Sequence, residues 1–183
     1  MLIEKDDATL LVVDIQEKLV PAVLDADGMV ARCHWLIAAA VDLGLPVVFS
    51  EQYPQGLGGT LLQLLEAAPQ ADVVEKLHFS CVAGQCLPDG LMSRRQVIVC
   101  GMETHVCVLQ TVMELLQAGK QVFVVADAVS SRGELNREYG LQRMREAGAV
   151  LVTREMVLFE CLRVSGSALF KQMSKRYLVG DQP

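Results

Sequence analysis

Three times in this chain a helix-compatible stretch closes on a glycine and leads into a short run of β-branched and aliphatic residues. Gly44-Leu45-Pro46 precedes Val47-Val48-Phe49-Ser50, Gly119-Lys120-Gln121 precedes Val122-Phe123-Val124-Val125-Ala126-Asp127, and Gly148 precedes Ala149-Val150-Leu151-Val152. A run that is apolar at successive positions has no face to offer to water, so it fits a parallel strand covered on both sides. Leu10-Leu11-Val12-Val13-Asp14 and Val97-Ile98-Val99-Cys100 are of the same kind, and Asp72-Val73-Val74-Glu75 is a weaker candidate. The helical stretches are Met29 to Leu43, Thr104 to Ala118 and Glu134 to Ala147, each stopped by a glycine or an alanine-glycine step. Strands alternating with helices imply right-handed crossovers. The expected fold is α/β, a three-layer α/β/α sandwich with a central, mostly parallel six-stranded sheet.

A chain of 183 residues suits a single domain, here residues 1–183. The apolar fraction of 52% excludes global disorder. A formal charge of -6, with no run of Lys or Arg, argues against a nucleic-acid partner. Met1-Leu2-Ile3-Glu4-Lys5-Asp6-Asp7 lacks the features of a signal peptide, and no stretch has the length and apolarity of a membrane span. A soluble, cytoplasmic protein is therefore expected, with no membrane partner and with Cys33, Cys81, Cys86, Cys100, Cys107 and Cys161 as thiols. Cys81 and Cys86 do not have zinc-ligand spacing and His34, His78 and His105 are scattered, so no metal and no cofactor is expected. Gln55-Gly56-Leu57-Gly58-Gly59-Thr60 lacks the ending of a phosphate-binding loop and reads as a turn at the sheet edge.

Ligands of open α/β sheets bind beyond the carboxyl ends of the strands. The polar residues at those ends are Asp14 and Gln16 after the first run, Lys76 after the weaker one, Cys107 beyond Gly101, and Asp127. Cys107 falls where a helix begins, a place whose free N–H groups and partial positive charge favour a thiolate. An acid, a lysine and a cysteine at one rim suit nucleophilic chemistry. Asp14 would move the proton, Lys76 would lower the thiol pKa and hold the carboxylate, and Cys107 would attack an electrophilic carbon. Each residue also has a plain structural use. Asp14 and Asp127 suit helix or turn caps, Lys76 a solvated surface charge, and Cys107 a small buried hydrophobe.

The ordered segments Leu11-Val12-Val13-Asp14-Ile15-Gln16, Lys76 with Phe79-Ser80, Gly101-Met102-Glu103-Thr104-His105-Val106-Cys107-Val108, and Val124-Val125-Ala126-Asp127-Ala128 resemble the isochorismatase-like cysteine hydrolases. The resemblance runs from about Ala8 to Phe170. Glu51-Gln52-Tyr53-Pro54-Gln55-Gly56-Leu57-Gly58 and Asp127-Ala128-Val129-Ser130-Ser131-Arg132 look most like the isochorismatase domain-containing proteins. It implies a Rossmann-like topology, an Asp14, Lys76, Cys107 triad, a cis peptide from Met102 to Glu103, and an oxyanion held by the backbone N–H groups of Glu103 and Cys107. The Glu103 carboxylate, where many relatives carry a small residue, could line the pocket or pair with an arginine or with His105. Ser50-Glu51-Gln52-Tyr53-Pro54 lacks the histidines that hold the metal in related nicotinamidases.

The function implied is cysteine-dependent hydrolysis of a C–N bond, amide or carbamoyl, in a small molecule, through a thioester-type intermediate. Gln16, Gln52, Tyr53, Phe79 and His105 are the candidate substrate-binding residues. Vinyl-ether hydrolysis of the isochorismatase type, and a binding protein built on a hydrolase scaffold, are the alternatives. The resemblance also implies a homo-oligomer, with the apolar segment Met156 to Leu162 available to complete the core or to meet another subunit.

Overall fold

In a computed structural model, described here for residues 1–179, six parallel strands form one sheet. They are β1 (Ala8–Val13), β2 (Val47–Gln52), β3 (Asp72–Lys76), β4 (Gln96–Met102), β5 (Gln121–Ser130) and β6 (Val150–Val152), in the order β3-β2-β1-β4-β5-β6. Successive side chains of a strand point to opposite faces, and both faces here are apolar. Leu10, Val12, Phe49, Ile98, Phe123 and Val125 pack on one side. There they meet α1 (Ala26–Leu43), α3 (Leu62–Ala67), α7 (Arg154–Leu162) and α8 (Ala168–Tyr177). Leu11, Val13, Val48, Val97, Val99, Val122 and Val124 pack on the other, against α4 (Asp89–Met92), α5 (Leu109–Gln117) and α6 (Glu134–Glu146). This is the three-layer arrangement expected from runs with no polar alternation.

The helix that begins at Ala26 ends at Gly44, whose φ of 79° closes it in the left-handed conformation while its N–H returns to the carbonyls of Ala40 and Val41. On the outer face of the sheet Trp35 meets Tyr177 edge to face at 5.2 Å, and the Tyr177 hydroxyl donates to Asp42 at 2.7 Å. These contacts bring α8, near the chain end, onto α1.

Two expectations change. β5 continues to Ser130, so Asp127 lies inside the strand and not at an exit into a loop. Its Oδ1 accepts the backbone N–H of Arg154 at 2.9 Å, the cap-like use a carboxylate finds at the head of a helix, here α7. The glycine-rich segment also does more than turn at an edge. Pro54–Leu57 forms a single helical turn, α2, and Gln16 bridges to Thr60, which folds the segment back over the end of β1.

The sheet reverses its winding direction between β1 and β4. The connections from β1 through β3 cross on one face, and those from β4 through β6 cross on the other. A crevice opens at such a switch beyond the carboxyl ends of the strands. Asp14 follows β1 there, and the segment holding Cys107 follows β4.

Candidate active site

Asp14 leaves β1 with φ 52°, a left-handed conformation that Asp tolerates better than most residues. Its N–H donates to the Ser50 carbonyl at 3.0 Å and its own carbonyl accepts from Gln16 N at 2.9 Å. The side chain is thereby turned into the molecule, with no exposed surface. Gly101 on the neighbouring β4 makes room for this. Its φ is 115°, and a Cβ placed there would sit 2.1 Å from the Val13 carbonyl oxygen. Only glycine permits both the backbone angle and the approach.

Lys76, at the end of the edge strand β3, reaches across β2 to Asp14. Its Nζ lies 2.6 Å from Asp14 Oδ2, and both side chains are fully buried. The same ammonium donates to Gln52 Oε1 at 2.8 Å, and Ser50 Oγ donates to Asp14 Oδ1 at 2.7 Å. The Cys107 thiol lies close enough to the carboxylate and the ammonium for both to act on its ionisation. The structure thus brings together the acid, the lysine and the cysteine, and the surface-charge reading of Lys76 does not hold.

After β4 the peptide joining Met102 to Glu103 is cis. The chain then makes a π-helical turn over Thr104–Val108 before α5 begins, so Cys107 sits in that wide turn and not in the first turn of a regular α-helix. The Val106 and Val108 N–H groups both return to the Glu103 carbonyl, at 3.0 and 3.2 Å. Among the described residues no acceptor takes the Glu103 N–H itself.

The electrostatics correct one expectation. Burial, and then the negative charge of Asp14, push the Cys107 thiol up, and Lys76 offsets them only in part. The same burial raises the Asp14 carboxyl against the pull of Lys76 and of its hydrogen bonds. Burial is the strongest single influence on Lys76 and pulls it down, but the Asp14 charge and hydrogen bond, with smaller help from Cys107 and Cys81, together hold it above its ordinary value. These influences favour the thiol form of Cys107 over a preformed thiolate.

The expected substrate-binding residues divide. Gln16 is fully buried and its amide is used internally, donating to the carbonyls of Gln52 at 3.0 Å and Gly58 at 2.7 Å and accepting from Gln52 N at 2.7 Å. It holds β2 and the glycine-rich segment together, and both of its amide donors are taken within the protein. Gln52 spans Lys76 Nζ and the Leu77 carbonyl, the latter at 2.8 Å, which makes it a positioning residue for the lysine. Tyr53 and Phe79 stand exposed. His105 Nδ1 lies 3.0 Å from Ser131 Oγ. The Glu103 carboxylate is paired with Arg132 at 2.5 Å and accepts its backbone N–H at 3.2 Å, which holds the carboxyl below its ordinary value.

Three neighbours were not singled out for the site from sequence. Ser50 binds Asp14, and the thiols of Cys81 and Cys86 lie beside Lys76 and Asp14. Ser50 was readable in principle, because it lies on the strand paired with β1, in register with Val13. Among the described residues no group of three or more His, Cys, Asp or Glu side chains is arranged to hold a metal ion.

Comparison with known proteins agrees with this fold. The Isochorismatase domain matches residues 8–156. Isochorismatase domain-containing protein 2A of Mus musculus is 37% identical over 171 residues, covering 93% of this chain and 82% of its own. The secreted isochorismatase effector Isc1 of Phytophthora sojae is 36% identical over 174 residues, covering 92% and 83%. The solved MAR1 ribonuclease of Caenorhabditis elegans superposes with a TM-score of 0.91 at 36% identity, over 100% of this chain and 95% of that one. YcaC of Pseudomonas aeruginosa, solved with hexane-2,5-diol and covalent acrylamide, gives 0.88 at 26% identity over 97% and 92%. YcaC of Escherichia coli, described as an octameric hydrolase of unknown specificity, gives 0.89 at 25% over 97% and 91%. The chain belongs to the isochorismatase family.

Proposed function

We propose that this protein is a cysteine hydrolase that cleaves a C–N bond, amide or carbamoyl, in a small molecule. The observation that carries the reading is the fully buried 2.6 Å pair of Asp14 and Lys76, with Cys107 near enough for both charges to act on its thiol. Asp14 takes the thiol proton as Cys107 Sγ attacks the carbonyl carbon. The backbone N–H groups of Glu103 and Cys107 receive the developing oxyanion. Asp14 then delivers its proton to the leaving nitrogen, the C–N bond breaks, and a thioester remains. Water, deprotonated by Asp14, attacks the thioester carbon, the C–S bond breaks, the acid product leaves, and Asp14 returns the proton to the sulfur. Lys76 keeps its charge throughout, holding the carboxylate and sharing the negative charge that passes between oxygen and sulfur. No metal or cofactor enters this scheme.

Tyr53, Phe79 and His105 are the residues we assign to the substrate side of the rim, with Gln52 fixing Lys76. Support for a nucleophile in this family comes from the acrylamide bound covalently in the P. aeruginosa relative. An assay over small amides, carbamoyl compounds and imides, with Cys107→Ala as the blank, tests the reading. Turnover and covalent labelling should both disappear in the variant, and turnover persisting at the wild-type rate would overturn the assignment. Isochorismate belongs in the same screen, since vinyl-ether cleavage that survives Cys107→Ala would favour the isochorismatase reaction.

The C. elegans relative is named a ribonuclease, which raises phosphodiester cleavage as a second reading. The formal charge of -6 works against binding a polyanion. RNA degradation by the purified protein, insensitive to salt and to Cys107→Ala, would displace the amidase reading. We further read residues 1–183 as one cytoplasmic domain that assembles into a homo-oligomer. The octameric E. coli relative and the exposed Met156 and Phe159 on α7 support assembly. Among the described residues no helix is long and apolar enough to cross a membrane.

A further inference from the structure

The turn that follows β3 carries two cysteines that the proposed hydrolysis does not use. Cys81 is buried, and its N–H donates to Thr111 Oγ1 at 3.0 Å, which fixes it to α5. Cys86 is partly exposed, and its N–H and its Sγ both donate to the Cys81 carbonyl, each at 3.4 Å. The two thiols are near enough across this tight turn for each to shift the other's ionisation. A backbone N–H···O bond of that kind keeps the two Cα atoms within the range a disulfide spans. The turn also lies directly on Lys76, since a Cβ at Gly84 would stand 3.2 Å from Lys76 Cβ. The charged groups that act on the pair are Lys76 and Asp14.

We propose that Cys86 and Cys81 form a peroxide-reactive dithiol, in which Cys86 is the attacking thiol and Cys81 resolves it to a disulfide. In the first step the Cys86 thiolate attacks one oxygen of a hydroperoxide. An S–O bond forms, the O–O bond breaks, and hydroxide, or alkoxide from an alkyl hydroperoxide, leaves and takes a proton. In the second step the Cys81 sulfur attacks the Cys86 sulfenic acid. The S–S bond forms, the S–O bond breaks, and water departs with the Cys81 proton. The peroxide gains the two electrons that the two thiols lose.

The division of roles follows from the surroundings. Cys81 and the Lys76 ammonium bring the Cys86 thiol down to about 7, while Cys86 and then burial push Cys81 well up. Cys86 is therefore the sulfur that is both ionised near neutral pH and open to solvent, as an attacking thiol must be. Cys33, Cys100 and Cys161 are buried; Cys33 and then burial raise Cys100, and burial raises Cys161. Lys76 would in this way serve two sulfurs, the nucleophile on one side and the dithiol on the other. The dithiol chemistry needs only the position of Lys76 and does not depend on the amidase reading.

Hydrogen peroxide as the probe, followed by tryptic mass mapping, tests this without any activity assay. Cleavage after Lys76 and Arg94 leaves Cys81 and Cys86 alone together in one peptide, Leu77 to Arg94. That peptide should lose about 2 Da on brief oxidation and regain them with dithiothreitol. It should do so roughly tenfold or more faster than Cys161 is modified, as their thiolate fractions differ. Cys86→Ser should abolish the loss. In Cys81→Ala, the unresolved sulfenic acid on Cys86 should be trapped by dimedone. An unchanged peptide while Cys107 or another cysteine oxidises first would overturn the proposal. So would a stable dimedone adduct on Cys86 in the wild-type protein with no disulfide, because Cys81 would then not resolve it. The wild-type mapping decides the matter even if the buried Cys81→Ala variant folds poorly.

Discussion

Replacing Lys76 by Met removes one member of an ion pair whose two side chains have no exposed surface and whose charged atoms are 2.6 Å apart. Methionine keeps much of the length and apolar stem of lysine, so packing is largely retained and the main loss is charge. Asp14 is left buried with Ser50 and the Cys107 thiol for company, and breaking a buried pair from one side costs about 3–5 kcal/mol. For a chain of 183 residues that is a fall in Tm of roughly 6–20 °C. The loss should depend on pH. Burial already raises the Asp14 carboxyl, and without Lys76 nothing comparable opposes it. The folded variant then binds a proton that the unfolded chain releases, so its stability falls as pH rises from the ordinary carboxylate range through the raised folded value, by up to about 1.4 kcal/mol per pH unit. Asp14→Asn combined with Lys76→Met replaces both charges by neutral groups of similar shape and should recover much of the loss. Chemical denaturation of the four proteins at pH 5 and pH 8 reads the cycle. A cost below about 1 kcal/mol that is flat with pH, or a double variant as unstable as the sum of the singles, would refute the claim that the pair is buried and mutually compensating.

Asp14→Asn should lower the pH at which the Cys107 thiolate appears, because the Asp14 charge raises that thiol. It should nonetheless abolish turnover, and thiolate absorbance beside an activity assay separates base catalysis from simple thiol acidity. In the wild type, alkylation of Cys107 should weaken as pH falls through the raised Asp14 value, above the usual carboxylate range, since the protonated acid no longer takes the thiol proton. A rate following hydroxide alone would contradict this. Gly101→Ala should destabilise by several kcal/mol and slow Cys107 labelling, because the added Cβ meets the Val13 backbone at the root of Asp14. Ordinary stability in thermal melts would count against that close approach.

The sheet was legible because its central strands are buried on both faces and so are written as unbroken apolar runs. Lys76 was harder to place. β3 is an edge strand with Asp72, Val73 and Glu75 exposed, so its polarity matches a surface loop as well as a strand. The π turn holding Cys107 left no mark in the apolar spacing, since Thr104, Cys107 and Val108 are buried as they would be in an α-helix. That is why the helix-start reading predicted a depressed thiol and the burial of the turn reversed it. Asp127 was read as a strand exit because an acid often ends a strand, yet β5 tolerates it where its carboxylate finds the N–H of Arg154. Gln16 and Gln52 were recognised as belonging to the rim. Their roles were not readable, because whether a buried amide faces a ligand or a neighbour depends on pairings between segments about 36 residues apart. Cys81 and Cys86 look like packing in the sequence, and only the fold shows them lying on the lysine.

A thiol held high and an acid held above its usual range can look ill suited to nucleophilic catalysis, yet the two shifts belong together. Proton transfer in a transition state is easiest when donor and acceptor are not far apart in basicity. Burial raises Asp14, which makes its carboxylate a stronger base than an ordinary one, and raises Cys107, which avoids leaving a thiolate exposed to oxidants. Lys76 limits the rise of the acid and stays charged, so negative charge moving from oxygen to sulfur remains beside the same ammonium. A preformed thiolate would instead require the ammonium to face the sulfur with the carboxylate neutral or absent. The hydrogen bond from Ser50 and the 2.6 Å contact from Lys76 both favour the ionised carboxylate, which commits the site to the first arrangement.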